Sequence, residues 1–330
     1  MMVLARVCLF GWMACAPAAE PSAAVPLRAA SAGPAIATAV ESQASVEADP
    51  PRTPPLYGFW GLNGYVSSAG LADVESRLGL TVFQVASSNP SWTVRVLLPM
   101  VRRAGLKVTL RMTDDHWAYT TGGAFDLEKW KANLDRWRGA DVASFIEDGT
   151  LTGHMILDDI HNFETVDPSA ADLEAMAAHS DALFPGLMTF VRVQATTIPV
   201  PASGRYTLVD ACVNQYESKE GPVEVYAATE AARAAELGLG IINGLNIADG
   251  GDGSSGQPGW RRGFHAMSAD EIRRYGAVLA DVPGLIMFLN WEYDAEEAWS
   301  DGTIGAEYFR DPAREAALRE LGERVKASGG

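Results

Sequence analysis

The chain has 330 residues, 48% hydrophobic and 21% charged, a globular composition long enough for one large domain or two small ones. Its formal net charge of −16 repels polyanions, which argues against nucleic acid and anionic membrane surfaces as partners. Two of the three cysteines, Cys8 and Cys15, lie near the N-terminus, so the folded part holds one thiol, Cys212, and no internal disulfide; in its apolar run Cys212 reads as a buried, inert residue.

Residues 1–19 carry one basic residue, Arg6, then an apolar run over 7–15, then small residues. That is the make-up of a secretory signal peptide, too short for a stable transmembrane span. Cleavage falls among the small residues 14–19, or before Cys15 if that cysteine is lipidated as in bacterial lipoproteins. Trp12 stands three residues before it, where such signals usually carry Leu. The chain is therefore expected to be exported: secreted, periplasmic, or held at the envelope through Cys15. Residues 20–55 are rich in Ala, Pro and Ser without apolar periodicity and read as a disordered linker.

From Leu56 to about residue 328 the pattern is that of one folded domain. Residues 56–62 read as a first strand and 68–78 as a helix. Residues 81–86 alternate as a second strand. A helix is signalled by Asn89-Pro90-Ser91 and stopped by Gly105. Strand three is 107–112. Residues 126–147 read as one long amphipathic helix, with Trp130, Leu134 and Trp137 on its core face. Strand four is 154–158, followed by a helix capped at Ser169. Strand five is 188–194. Pro199, Pro201 and Gly204 then forbid a regular helix, so the fifth crossover helix is reduced or missing. Strand six (207–216), a helix (222–237), strand seven (240–247), a glycine-rich rim loop, a helix (268–279), strand eight (285–291) and a closing helix (312–325) complete the chain. Such alternation implies a parallel sheet with helical crossovers. The first strand ends in Trp60-Gly-Leu-Asn-Gly-Tyr, which lacks the glycine fingerprint of a doubly wound sheet, so a closed α/β (β/α)8 TIM barrel is expected.

In such a barrel the strand C-termini converge on one face, and here they carry carboxylates, amides and aromatic rings. Asp158 and Asp159 end strand four, and Glu292 follows strand eight. Around them stand Trp60, Arg111, Asp115, His116, Trp117, Arg192, Gln215, Tyr216, Asn246, Asn290 and Trp291. Amides and acids bond sugar hydroxyls, tryptophan and tyrosine faces stack on sugar C–H surfaces, and glycosidic cleavage needs two carboxyl groups flanking the scissile oxygen. Strand alternation sends one of Asp158 and Asp159 into the mouth as general acid and the other toward the helices. Glu292 is the second carboxylate, with Asp115 in reserve. The competing reading for the two aspartates is a helix cap or a salt bridge to Arg111 or Arg192.

These features resemble the glycoside hydrolases of (β/α)8 fold, over residues 56–328 and at the level of architecture. Gln215-Tyr216-Glu217 and the segment 284–291 ending in Trp291 are similar to strands six and eight of family 18 chitinases. The strand-four acids of that family fall here on Met155, Leu157 and Asp159, of which only the last is acidic, so its mechanism is not carried over. The resemblance implies an exported glycosidase acting on carbohydrate without a cofactor. Two alternatives stand beside it. One is a carbohydrate-binding barrel without catalysis. The other is a metal-dependent hydrolase built on Asp114-Asp115-His116 and Asp158-Asp159-x-His161, although neither spacing is a dedicated metal motif and no metal ligand is assigned.

Overall fold

The computed structural model describes residues 54–62, 67–293 and 308–328. The proposed leader and Cys15 lie outside the described residues, as does the linker apart from Pro54 and Pro55. Eight strands pair in parallel and in chain order, the last against the first, to close a barrel: β1 (Leu56–Phe59), β2 (Val82–Ala86), β3 (Lys107–Arg111), β4 (Leu151–Asp158), β5 (Met188–Arg192), β6 (Ala211–Tyr216), β7 (Gly240–Leu245) and β8 (Leu285–Asn290). The crossover helices begin with α1 (Ser68–Leu78). Next comes α2, in which Pro90–Trp92 runs through a π-helical Thr93–Leu97 into Leu98–Arg103. Then follow α3 (Leu127–Leu134), α4 (Ala143–Glu147), α5 (Ala170–Leu183), α6 (Val223–Leu237), α7 (Ala269–Ala280) and α8 (Pro312–Ala327). Among the described residues no helix is long and apolar enough to cross a membrane.

Local chemistry sets the helix ends. The Ser169 side chain accepts from the Asp172 amide and the Asp172 carboxylate returns the bond to Ser169, a reciprocal cap; Ser268 and Glu271 repeat it at α7. The helix expected over 126–147 is instead two. A 3-10 turn, Asp135–Trp137, and Gly139 at φ 83° end the first part, a left-handed backbone that a helix cannot continue through. Its tryptophans still face the core: Trp130 Nε1 donates to the Ile156 carbonyl at 3.0 Å and Trp137 Nε1 to that of Met112 at 2.7 Å.

No helix connects β5 to β6, as the prolines predicted. The amides of this connection are met by side chains instead, because a buried N–H needs a partner. Asn214 Oδ1 accepts from Ala195 N at 3.0 Å, and buried Glu230 of α6 accepts from Thr196 N at 3.1 Å and Thr196 Oγ1 at 2.6 Å. Glu174 of α5 accepts from Thr207 N at 2.6 Å and Leu208 N at 2.9 Å.

The barrel interior is packed by Trp60, Val82, Met155, Phe190, Ala211, Val213, Ile242, Met287 and Leu289, while a larger apolar layer joins strands to helices. Period-two alternation carries the inward row upward to the mouth: Ala211 and Val213 lead to Gln215, Phe190 to Arg192, Met287 and Leu289 to Trp291. Strand β4 departs from it. Its register against β5 shifts between Met155 and Leu157, and both Ile156 and Leu157 pack in the outer layer. The bulge therefore hands the next inward place to Asp158.

Candidate active site

The mouth holds two adjoining spaces. An inner chamber of about 150 Å³ is walled by Trp60, Gln84, Arg111, Asp158 and Glu292, and an outer cleft of about 490 Å³ by Asp159, Gln215, Glu217, Asn246 and Trp260. Arg192 and Trp291 border both.

Asp158 sits between two arginines. Its Oδ2 accepts from Arg111 Nη1 at 3.1 Å and its Oδ1 from Arg192 Nε. Arg111 Nη2 also reaches Asp115 Oδ1 at 2.5 Å. Burial alone would lower the pKa of Arg192; Asp158, Asp159 and Glu292 outweigh it and hold that pKa above its ordinary value. The Arg192 guanidinium lies 5.9 Å from the Trp60 ring centre. Trp60 is 4% exposed, fixed by an indole bond to the Leu289 carbonyl at 3.1 Å.

Alternation was expected to hide one aspartate among the helices, and it does not. Asp159 takes φ 53°, a left-handed turn that Asp tolerates better than most residues, and it lines the outer cleft. Its Oδ1 accepts from the His161 amide at 3.1 Å. Both acids thus reach the mouth, one in each space. Glu217, two residues beyond Gln215, is nearly buried there; Asn246 Nδ2 donates to its Oε1 at 2.7 Å and Lys219 Nζ lies 2.5 Å from its Oε2. Asn246 is itself held by the Asp249 amide at 3.0 Å. On the rim, Asp249 accepts from Arg261 N at 2.9 Å and Nε at 2.7 Å, which ties down the glycine-rich loop that carries Trp260. Trp260 meets Trp291 edge to face, ring centres 5.4 Å apart. The peptide between Trp291 and Glu292 is cis.

Five expected contacts border neither space: Asp115 (bound to Arg111), His116, Tyr216, Asn290 and Trp117. Tyr216 points into the helix layer, 1% exposed, packs on Tyr226 and Tyr275, and donates to the Gly221 carbonyl at 2.6 Å; it follows Gln215 and so takes the opposite face. Asn290 is fully buried between strand ends, accepting from Leu245 N and donating to the Gly58 carbonyl, both at 3.4 Å. Trp117 is 63% exposed on the turn His116–Tyr119, its ring 3.6 Å from that of His116, and borders neither space. Burial, helped by Arg111, lowers the pKa of His116 against the pull of Asp115, Asp158 and Asp159. Gln84 and Glu217 belong to the strand ends that the sequence gathers on this face, and Trp260 to its glycine-rich rim loop, although the sequence assigned none of them a role; the structure puts all three on the walls of the mouth.

Among the described residues no three His, Cys, Asp or Glu side chains are grouped to hold a metal ion. The acids of the two Asp/His clusters have other partners. Burial would raise the pKa of Asp114, but bonds from Ser88, Asn133 and Arg136 prevail and lower it. His161 pairs with Asp167 at 3.0 Å. Cys212 is buried, and burial pushes its thiol up to about 12.

The fold is a closed (β/α)8 barrel whose mouth gathers carboxylates, arginines, amides and tryptophans. No protein-family model matches the chain, and no curated protein matches it. Among solved structures, fungal β-1,4-galactanases superpose with a TM-score of 0.55 at 13% identity, over 81% of this chain and 99% of theirs. The catalytic domain of the major endoglucanase of Xanthomonas campestris pv. campestris gives 0.47 at 10% identity, over 82% and 95%. A D-psicose 3-epimerase gives 0.47 at 14% identity, over 83% and 100%. The galactanase likeness is one of fold; the other two are too loose to carry an argument. The same barrel hosts unrelated chemistries, so activity has to be argued from the mouth.

Proposed function

We propose that the protein is an exported glycoside hydrolase that uses two carboxyl groups, Asp159 as proton donor and Glu292 as the second carboxylate. The observation that carries this reading is the opposition of the two strands they follow. β4 and β8 stand four places apart in a ring of eight, so their ends face each other across the mouth. A sugar chain lying across the mouth passes between them, with Arg192 close enough to feel both charges. Glycosidic cleavage asks for that arrangement: an acid protonates the leaving oxygen, and the opposite carboxylate attacks the anomeric carbon or activates a water. Both oxygens of Asp158 are engaged by arginines, which suits it to positioning Arg111 and Arg192 rather than to moving a proton. Gly61 supports the choice of Glu292. A Cβ there would come within 2.8 Å of Glu292 Oε2, so the backbone leaves room for this carboxylate. Trp291 and Trp260 offer ring surface to sugar C–H faces. Export rests on the leader-like residues 1–19, in which Cys15 is the residue a lipoprotein signal would lipidate.

The test is a hydrolysis screen on polysaccharides and aryl glycosides with wild type, Asp159→Asn and Glu292→Gln, each also in EDTA. Either substitution is expected to lower kcat by about 10²–10⁴-fold. Unchanged turnover in both would sink the assignment. Loss in EDTA would move the chemistry to the Asp/His clusters, and sugar binding without turnover on any substrate would make the barrel a binder.

A further inference from the structure

We infer that Gln84 is a specificity-determining residue of the inner chamber, donating a hydrogen bond to a hydroxyl of one neutral sugar ring held there. The inference rests on the reading of the mouth as a carbohydrate site. Gln84 follows the inward row of β2, above Val82 in the barrel interior and below Ala86 on the chamber wall. It is 5% exposed, and its Nε2 is buried without a hydrogen-bond partner. Buried amide donors are nearly always paired, because an unmet one has given up water and gained nothing. Such a donor on a chamber wall is placed for a ligand to meet. A site built to bond a hydroxyl strongly rejects analogues that lack it. One step outward, Gln215 repeats the arrangement: it lines the outer cleft, and its Nε2 is likewise buried and unpartnered.

The chamber's charge selects the class of sugar. Its cations, Arg111 and Arg192, both end on Asp158, and Arg111 bonds Asp115 as well. Glu292 adds a further carboxylate to the wall, and Asp159 stands in the adjoining cleft. A uronate entering here meets cations already neutralised and acids close by, so repulsion works against it. A neutral ring meets no such opposition. Size agrees: about 150 Å³ is room for about five waters at ~30 Å³ each, the scale of a single ring, whereas the outer cleft takes several.

The test titrates the intrinsic tryptophan fluorescence of the intact chain, since Trp60 and Trp291 wall the chamber. The probes are D-glucose, D-galactose, D-mannose and D-xylose, set against D-glucuronate and D-galacturonate. Wild type is expected to bind at least one neutral sugar more tightly than either uronate. Gln84→Met should weaken that sugar about tenfold, the loss of one hydrogen bond. The same variant should raise Tm by about 2–4 °C, because it removes an unmet buried donor. Gln84→Leu is the second variant, with the same two expectations. A structural amide predicts the opposite Tm change. Unchanged binding in both variants, a fall in Tm in both, tighter uronate binding, or no sugar binding by wild type would each overturn the inference. Turnover with unchanged kcat/KM in the Gln84 variants would refute this role and leave the hydrolase standing. Gln84-dependent binding without any turnover would do the reverse.

Discussion

Asp158 and Asp159 are adjacent in sequence and differ in the work their surroundings allow. Asp158 is the counter-ion of two arginines, with a side chain only 28% exposed. Asp158→Asn keeps the shape and leaves Arg111 and Arg192 facing one another without that charge. Urea unfolding is expected to show a loss of about 2–3 kcal/mol. Asp159 makes one side-chain bond, to a neighbouring amide, so Asp159→Asn should shift the same curve by less than ~1 kcal/mol while, on the proposed function, lowering kcat by about 10²–10⁴-fold. Equal destabilisation by both would show that the two acids share a structural role. Tyr216→Phe supplies the control for the rejected contact. It should lose about 1 kcal/mol with its bond to the Gly221 carbonyl and leave sugar binding untouched.

At the scale of elements, the connection between β5 and β6 is the clearest departure from an ideal barrel. Its prolines rule out a helix, so the amides it leaves over are met by carboxylates and an amide from β6, α5 and α6. Glu230 matters most, being 4% exposed and bonded twice to Thr196. Glu230→Ala should cost about 2–3 kcal/mol, because it deletes two charge-assisted bonds and strands a backbone donor. Limited proteolysis is the sharper measurement: cleavage should appear within residues 193–206 in the variant and not in wild type. Cleavage spread evenly over the chain would mean global rather than local loosening. The sequence disclosed this departure because proline and glycine act locally. It did not disclose which acids would compensate, since Glu174 and Glu230 lie on other elements.

At the scale of the whole molecule, acid stability is tied to His154, fully buried between β4 and α5. Its Nδ1 lies 2.7 Å from Ser180 Oγ, its ring stacks on Trp130, and burial pushes its pKa down to about 3. The unfolded chain protonates this histidine near pH 6.5, while the folded chain resists until about 3. The unfolded state therefore binds more protons across that window, and stability falls as pH drops through it, by about 1.4 kcal/mol per pH unit at most. His154→Leu removes this term. The stability difference between wild type and variant, measured by urea unfolding at pH 7, 5 and 4, should move toward the variant by that slope. A difference independent of pH would mean that the folded and unfolded chains take up this proton equally, and would sink the assignment.

The sequence by itself determined the alternation of strands and helices, the absent fifth helix, the buried Cys212 and the strand ends on which the polar residues sit. These follow from short-range physics: side-chain period, caps, and the fixed dihedral of proline. Tertiary structure alone decided which residues face the mouth. One bulge between Met155 and Leu157 reset the parity of β4 and brought Asp158 inward. One left-handed residue, Asp159, brought the second acid with it. Alternation sent Tyr216 to the helices, and strand-end packing closed over Asn290. Gln84 and Glu217 on their strand ends and Trp260 on its rim loop took their places around one opening only when closure of the barrel brought together strands distant in sequence. A bulge and a ring closure depend on neighbouring strands, so their consequences are not written in any single stretch of the chain.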